Sequence, residues 1–163
     1  MKTSSPAGIV LRAARAEDLP GIERLLEASS LPTEGVEEAL CGFIVAESGE
    51  GIVGVVGLEL CGEHALLRST AVSPGYRDQG LGRALVERII AEAEARNIRA
   101  LYLLTTTAER YFPSFGFVTT TRDTVPGPVR ATAEFAGACP ASATVMCMHL
   151  APGARQGVAA PSS

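Results

Sequence analysis

The chain has 163 residues, 47% of them hydrophobic and 20% charged. That length and composition fit one globular domain with a sizeable core and exclude a disordered chain. Its 14 lysines and arginines against 18 aspartates and glutamates leave a net charge of −4, which disfavours nucleic acid as a partner, because phosphate binding calls for a basic surplus. The longest apolar run, Gly51–Leu60, is interrupted by glycine and falls well short of the ~18 residues a membrane span needs. The first residues hold one lysine and a Thr-Ser-Ser-Pro-Ala-Gly run, with no apolar signal-peptide core. The expectation is a cytoplasmic protein with no membrane contact. Cys41, Cys61, Cys139 and Cys147 show neither a C-x-x-C pair nor zinc spacing, and His64 and His149 are too few for an all-histidine site. Buried free thiols and no metal are expected.

In chain order, residues 1–8 and 151–163 lack a hydrophobic period and are expected to be disordered ends of a single domain spanning 9–150. Ile9–Arg15 alternates weakly and predicts a first strand. Glu17-Asp18 cap a helix with Pro20 in its first turn, where a missing N–H costs little, and Ile22, Leu25 and Leu26 as its apolar stripe. A second short helix is expected over Thr33–Leu40. Phe43–Glu47, Ile52–Leu60 and His64–Val72, separated by turns at 48–51 and Gly62-Glu63, predict an antiparallel meander. Gly80–Arg96 is the clearest helix, with Leu81, Leu85, Ile89 and Ala93 on one face and Val86 and Ile90 widening it. Ala100–Leu104 reads as a strand buried on both sides, Thr107–Ser114 as a short helix, and Gly116–Thr120 and Ala143–Leu150 as the last strands. The order β-α-α-β-β-β-α-β-α-β-β is that of an α/β layered domain with a mixed sheet.

Chemistry concentrates between the fourth strand and the long helix. Residues 72–83 contain Arg77-Asp78-Gln79-Gly80-Leu81-Gly82, an Arg-x-x-Gly-x-Gly pattern, followed by Arg83. A glycine-rich turn at a helix start exposes N–H groups that have no intrahelical partner, and the helix dipole adds positive potential there. Gly80 and Gly82 let phosphates approach without a Cβ in the way, and Arg77 and Arg83 add charge-assisted bonds. A plain strand-to-helix turn would also carry glycines. The preceding strand, the amphipathic helix and a second strand–helix unit closing on Phe115-Gly116-Phe117 favour the anion site.

Leu66–Val118 resembles the GNAT superfamily of acetyl-CoA-dependent N-acetyltransferases. Ala71-Val72 ends the strand before the signature at Arg77–Gly82, and Ala108–Phe117 carries an aromatic-x-x-x-Gly-Phe pattern. The element order matches over about residues 9–150. The resemblance implies a GNAT-like layered α/β fold, its central mixed, mostly antiparallel sheet of about seven strands with helices on both faces. It also implies acetyl-CoA as co-substrate. In that family the fourth and fifth strands splay, the pantetheine arm lies in the cleft, and a bulge in the fourth strand frees N–H groups near Ala71 and Val72 to polarise the thioester carbonyl. Arg77, Asp78, Gln79, Gly80, Leu81, Gly82 and Arg83 would take the pyrophosphate, and Thr105 and Phe112 complete the expected cofactor-binding residues. The amine attacks the thioester directly, after a base deprotonates the ammonium, and an acid protonates the leaving thiolate.

The chain departs from the family at the acid: the usual tyrosine position is Phe112, with Tyr111 beside it, about 100° round a helix. Tyr111 is the candidate acid, with ordinary packing as the alternative. Glu59, on an otherwise apolar strand, is the candidate base if it faces a cleft, where desolvation raises a carboxylate pKa. A solvated edge carboxylate, a pair with Arg68, and deprotonation through water are the alternatives. Cys61 and Cys139 have no histidine nearby in sequence, which argues against an acyl-thiol intermediate. Val125–Ala143, with Arg130, Thr132, Glu134, Phe135, Cys139 and Pro140, resembles the small GNAT subgroup associated with arsenic-resistance gene clusters and short N-acetylglutamate-synthase-type enzymes. The reaction this implies is acetyl transfer to the primary amine of a small molecule, an amino acid or amino-acid-like arsenical. Arg68 or Arg130 would hold its acidic group and Glu134 or Glu59 its ammonium. Arg130 and Glu134 share a face if their segment is helical, or simply pair on the surface. Peptide or protein N-terminal acetylation, a non-catalytic CoA-binding sensor and a thiol-based arsenite binder are the competing functions, and a homodimer is left open.

Overall fold

The computed structural model describes residues 8–49, 51–77, 79–106, 108–138 and 142–150. The ends expected to be disordered, Gly8 aside, lie outside the described residues, as do Asp78 and Cys139. The regular elements are β1 (Val10–Ala13), α1 (Leu19–Ala28), β2 (Phe43–Ser48), β3 (Gly51–Cys61), β4 (His64–Val72), α2 (Leu81–Ala95), β5 (Ala100–Thr105), β6 (Val118–Thr120), α3 (Gly127–Arg130) and β7 (Thr144–His149). The strands hydrogen-bond in the order β1-β2-β3-β4-β5-β7-β6. β1–β2, β2–β3, β5–β7 and β6–β7 are antiparallel and β4–β5 is parallel, so the expected mixed, mostly antiparallel seven-stranded sheet is the one that forms. No described helix is long and apolar enough to cross a membrane.

The chain divides into two compact units, Met1–Leu58 with Arg68–Ile89 and Glu59–Leu67 with Ile90–Ser163. In the first, α1 begins at Asp18 with Pro20 in its opening turn. Its stripe Ile22, Leu25 and Leu26 packs with Val36, Phe43, Val45, Val55 and Ala71. The strand neighbours Ala46 and Gly54 face the other way: a Cβ added to Gly54 would lie 2.9 Å from Leu85 Cδ1 and 3.4 Å from Leu81 Cδ2. Because successive strand side chains alternate, α1 covers one face of these strands and α2 the other. Gly54 is the gap into which the first two turns of α2 press.

In the second unit, the parallel ladder of β4 with β5 joins His64 to Ala100, Ala65 to Leu101 and Leu66 to Tyr102. Ala100 and Tyr102 pack with Cys61, Leu66, Val125, Val129, Val145 and Cys147. Leu101 and Leu103, which alternate with them, are also buried, as the uninterrupted apolar run of β5 requires.

Two expected helices do not form. Over 33–40 the chain makes successive turns, closing in a single 3₁₀ turn at Leu40–Gly42. Gly35 stands at φ +81, and a left-handed residue cannot continue a right-handed helix. The second is cut to one 3₁₀ turn, Phe112–Phe115, by Pro113 within it and by Gly116 at φ +112. Cys61 and Cys147 are buried free thiols, as expected, but Cys41, on the 3₁₀ turn at Leu40–Gly42, is exposed.

Candidate functional site

β4 departs from strand geometry halfway along. Ser69 has φ +62, a left-handed conformation that costs a non-glycine residue roughly 1–3 kcal/mol and persists only when its surroundings over-determine it. Arg68 supplies that constraint. Its side chain is buried, the residue only 2% exposed, and it donates from Nε to Ser69 Oγ at 3.0 Å and from Nη2 to the Glu34 carbonyl at 2.6 Å. The irregularity expected near Ala71 and Val72 therefore starts at Ser69. The next residue, Thr70, is half-buried, yet its Oγ1 is buried with no hydrogen-bond partner among the described residues.

Past Val72 the chain leaves the sheet, with the Ser73 N–H donating to the Val53 carbonyl at 2.8 Å. Pro74–Tyr76 form one 3₁₀ turn, and the Tyr76 hydroxyl lies 3.3 Å from Ser48 Oγ on β2. Arg77 folds back to donate from Nε to the Val72 carbonyl at 2.9 Å, and the Gln79 amide reaches the Gly75 carbonyl at 3.5 Å. Gly80 has φ +82, and a Cβ there would meet nothing within 4 Å. Glycine is needed for the conformation, and the space in front of it is open. The bond from the Ala84 N–H to the Gly80 carbonyl, 3.0 Å, opens the ladder of α2. The amides of Leu81 and Gly82 precede it and have no acceptor within the helix. Arg83 is exposed beside them, 3.5 Å from Glu87. Amides without an acceptor inside the helix, the dipole of a 15-residue helix and two flanking guanidiniums are features that favour an anion.

Arg68, Ala71, Val72, Arg77, Gln79, Gly80, Leu81, Gly82 and Arg83 thus fall in one unit. Of these, Ala71 and Leu81 place their side chains in the core and offer only backbone. Asp78 lies outside the described residues.

The other expected site residues belong to the second unit. Glu59 is half-buried on β3, and its carbonyl accepts the Cys61 thiol at 3.4 Å. Burial, and then the negative charge of Glu59, push that thiol up to about 11. Burial and the raised value both argue against Cys61 as an acyl carrier. Thr105 Oγ1 accepts the Ala108 N–H at 2.9 Å, so its hydroxyl fastens the turn that follows β5. Phe112, 6% exposed, packs edge-on against Tyr111 and Phe117, with centroids 5.3 and 5.7 Å away. Tyr111 is 38% exposed and also stacks edge-on against Phe115 at 5.2 Å.

Arg130 is exposed at the last residue of α3. Glu134 is 4% exposed, on a wide turn at Glu134–Ala138 that carries Gly137 at φ +145. The helix ends between the two, so they do not share a face as a continuous helix would require. Among the described residues no group of three or more His, Cys, Asp or Glu could hold a metal ion.

Sequence reasoning missed Ser69, Thr70 and Tyr76. Leu-Arg-Ser-Thr-Ala-Val reads as an ordinary strand. The available signal was Arg68 itself, a charge in a segment otherwise destined for burial, which has to find acceptors.

Residues 39–119 match the family described as the acetyltransferase (GNAT) domain. The chain is 31% identical over 132 residues to the amino-acid acetyltransferase of Neisseria meningitidis serogroup A / serotype 4A, covering 74% of this chain and 30% of that protein. It is 33% identical over 121 residues to the amino-acid acetyltransferase of Ectopseudomonas mendocina, 66% of this chain and 27% of that protein. The chain therefore spans about 30% of the length of the curated relatives it matches. Among solved structures it is similar to N-acetylglutamate synthase from Neisseria gonorrhoeae complexed with coenzyme A and N-acetyl-glutamate, with a TM-score of 0.76 and 25% identity over 90% of this chain and 36% of that one. The bulged strand, the glycine turn and the long helix lie inside the matched stretch, and the chain belongs to the GNAT acetyltransferase family.

Proposed function

We propose that the chain is an acetyl-CoA-dependent N-acetyltransferase that moves the acetyl group directly to the primary amine of a small, amino-acid-like acceptor. The observation that carries this reading is the sequence of features from Ser69 to Gly82: a strand turned by a left-handed residue, leading through an open glycine turn into the start of a long helix, whose first amides have no acceptor within the helix. The turn and the amides of Leu81 and Gly82 would hold the pyrophosphate, with Arg77 and Arg83 at its rim. The backbone at Ala71 and Val72 would polarise the thioester carbonyl. The amino-acid acetyltransferases among the relatives, and the Neisseria gonorrhoeae enzyme bound to coenzyme A and N-acetyl-glutamate, support an amino-acid-like acceptor.

For the acceptor, Arg130 is the proposed partner of the acidic group, because it is exposed, whereas Arg68 already clamps the bulge. Glu59 is the proposed base, acting directly or through water. The test is thiol release from acetyl-CoA across a panel of amines: glutamate, other amino acids, an amino-acid-like arsenical, plain alkylamines and a peptide N-terminus. Release that depends on a zwitterionic amine is expected, with Arg130→Ala raising KM for that amine and sparing KM for acetyl-CoA. Binding of acetyl-CoA without amine-dependent release would point to a sensor, and a preference for the peptide to a protein acetylase.

A further inference from the structure

We propose that the Thr70 hydroxyl is a side-chain donor to the acyl thioester carbonyl, and that through it the chain prefers acetyl-CoA to free CoA. This rests on the acetyl-CoA reading above and names a specificity-determining residue within it.

Thr70 Oγ1 is buried without a hydrogen-bond partner, although the residue as a whole is half-exposed. A hydroxyl left unpaired in the interior is costly, and folded chains keep few of them. Valine has the same branched shape, suits a strand at least as well and would carry no such penalty. The hydroxyl thus takes no part in the bonding among the described residues. It also follows directly on Ser69, whose φ of +62 is the other local violation in β4. Strain and an unsatisfied polar group on adjacent residues mark a position built for something the chain does not contain.

The direction follows from the strand. Ala71 packs among the stripe residues of α1, and neighbouring strand side chains point to opposite faces. Thr70 therefore belongs to the face that carries α2, whose first turn holds the open amides. Rotation about χ1 between staggered wells would bring the hydroxyl from its buried position to the exposed part of the residue. A hydroxyl donor there needs a carbonyl acceptor. Acetyl-CoA presents one at its thioester, while free CoA ends in a thiol, a weak acceptor. The preference for the acylated form follows.

The experiment is calorimetric titration of parent, Thr70→Val and Thr70→Ser with acetyl-CoA and, separately, with CoA, alongside thermal melts. For Thr70→Val the acetyl-CoA affinity should fall roughly 5- to 10-fold, the scale of one hydrogen bond, while CoA affinity stays within about 2-fold. Thr70→Ser should keep the parent's preference. Thr70→Val should melt at or above the parent temperature, because it removes a group that is unsatisfied. Equal loss of both ligands, or loss of neither, would overturn the assignment of Thr70 and leave the acetyl-CoA reading standing. A parent that binds neither ligand would overturn that reading itself, and Thr70 with it.

Discussion

β1 passes to α1, and β4 passes to α2, through short turns of similar kind, yet the polar groups of the two joins are spent differently. At the first, Asp18 is 7% exposed. Its carboxylate accepts both terminal nitrogens of Arg12, at 2.7 and 2.9 Å, and the Arg15 N–H at 2.8 Å. Arg12 completes the set with Nε to Glu47 at 2.8 Å. Every charge there answers another within the chain. At the second, Ser69 is strained, the Thr70 hydroxyl has no partner among the described residues, Gly80 is left-handed before open space, and the amides of Leu81 and Gly82 have no acceptor in the helix. A join that satisfies itself is architecture. One that breaks several local rules at once is where we propose the ligand binds.

The largest effect should come from breaking the self-satisfied join. Asp18→Asn leaves the Arg12 guanidinium without its main partner in a largely buried setting and should cost about 2–3 kcal/mol, read by urea denaturation. Acetyl-CoA affinity should stay within about 2-fold of the parent. The effect also has a pH signature. The hydrogen bond from Arg12, acting against burial, holds the Asp18 pKa below its ordinary value. A carboxylate depressed in the folded state contributes fully above its unfolded pKa, near 4, and loses that contribution as pH falls through the folded value. The stability gap between parent and Asp18→Asn should therefore be constant from neutral pH to about 5 and close below about 4.

Breaking the open join should reverse the pattern. Gly82→Val places a branched side chain beside the helix-start amides, and acetyl-CoA affinity should fall at least ~10-fold, about 1.4 kcal/mol, with the fold retained. Unchanged affinity in calorimetry would remove this turn from cofactor binding. Gly80→Ala is subtler. No atom obstructs the new Cβ, so the cost is the conformation alone, about 1 kcal/mol of stability. A melt unaltered by that change would mean that the turn relaxes freely. The smallest effect belongs outside both joins. Tyr111 is exposed and stacked on two phenylalanines, so Tyr111→Phe should leave kcat within a few-fold. A loss of ~10²–10⁴-fold at unchanged stability would make Tyr111 the acid after all.

The long elements were legible because their periods are strong: the stripe of α2, the uninterrupted β5 and the meander from Phe43 to Val72 appear where hydrophobic spacing puts them. The glycine turn was legible because a helix start that faces open space has few ways to be written. What escaped was decided by single residues whose effect is tertiary. Gly35 and Gly116 stop helices that the surrounding pattern favours. Ser69 takes a conformation that nothing in its own chemistry demands, and the buried Arg68 beside it bonds its hydroxyl. Arg130 and Glu134 parted because a four-residue spacing predicts a shared face only where the helix runs through, and here it ends at Arg130.

Arg68 has a further consequence for motion. One guanidinium holds both Ser69 and the Glu34 carbonyl, thirty-four positions away in the chain. Outward movement of the turns between α1 and β2 breaks a bond made by the same guanidinium that bonds the left-handed Ser69. Opening of this connection and loss of the kinked backbone are thereby coupled, so amide exchange at Val36 and at Ala71 should slow or quicken together.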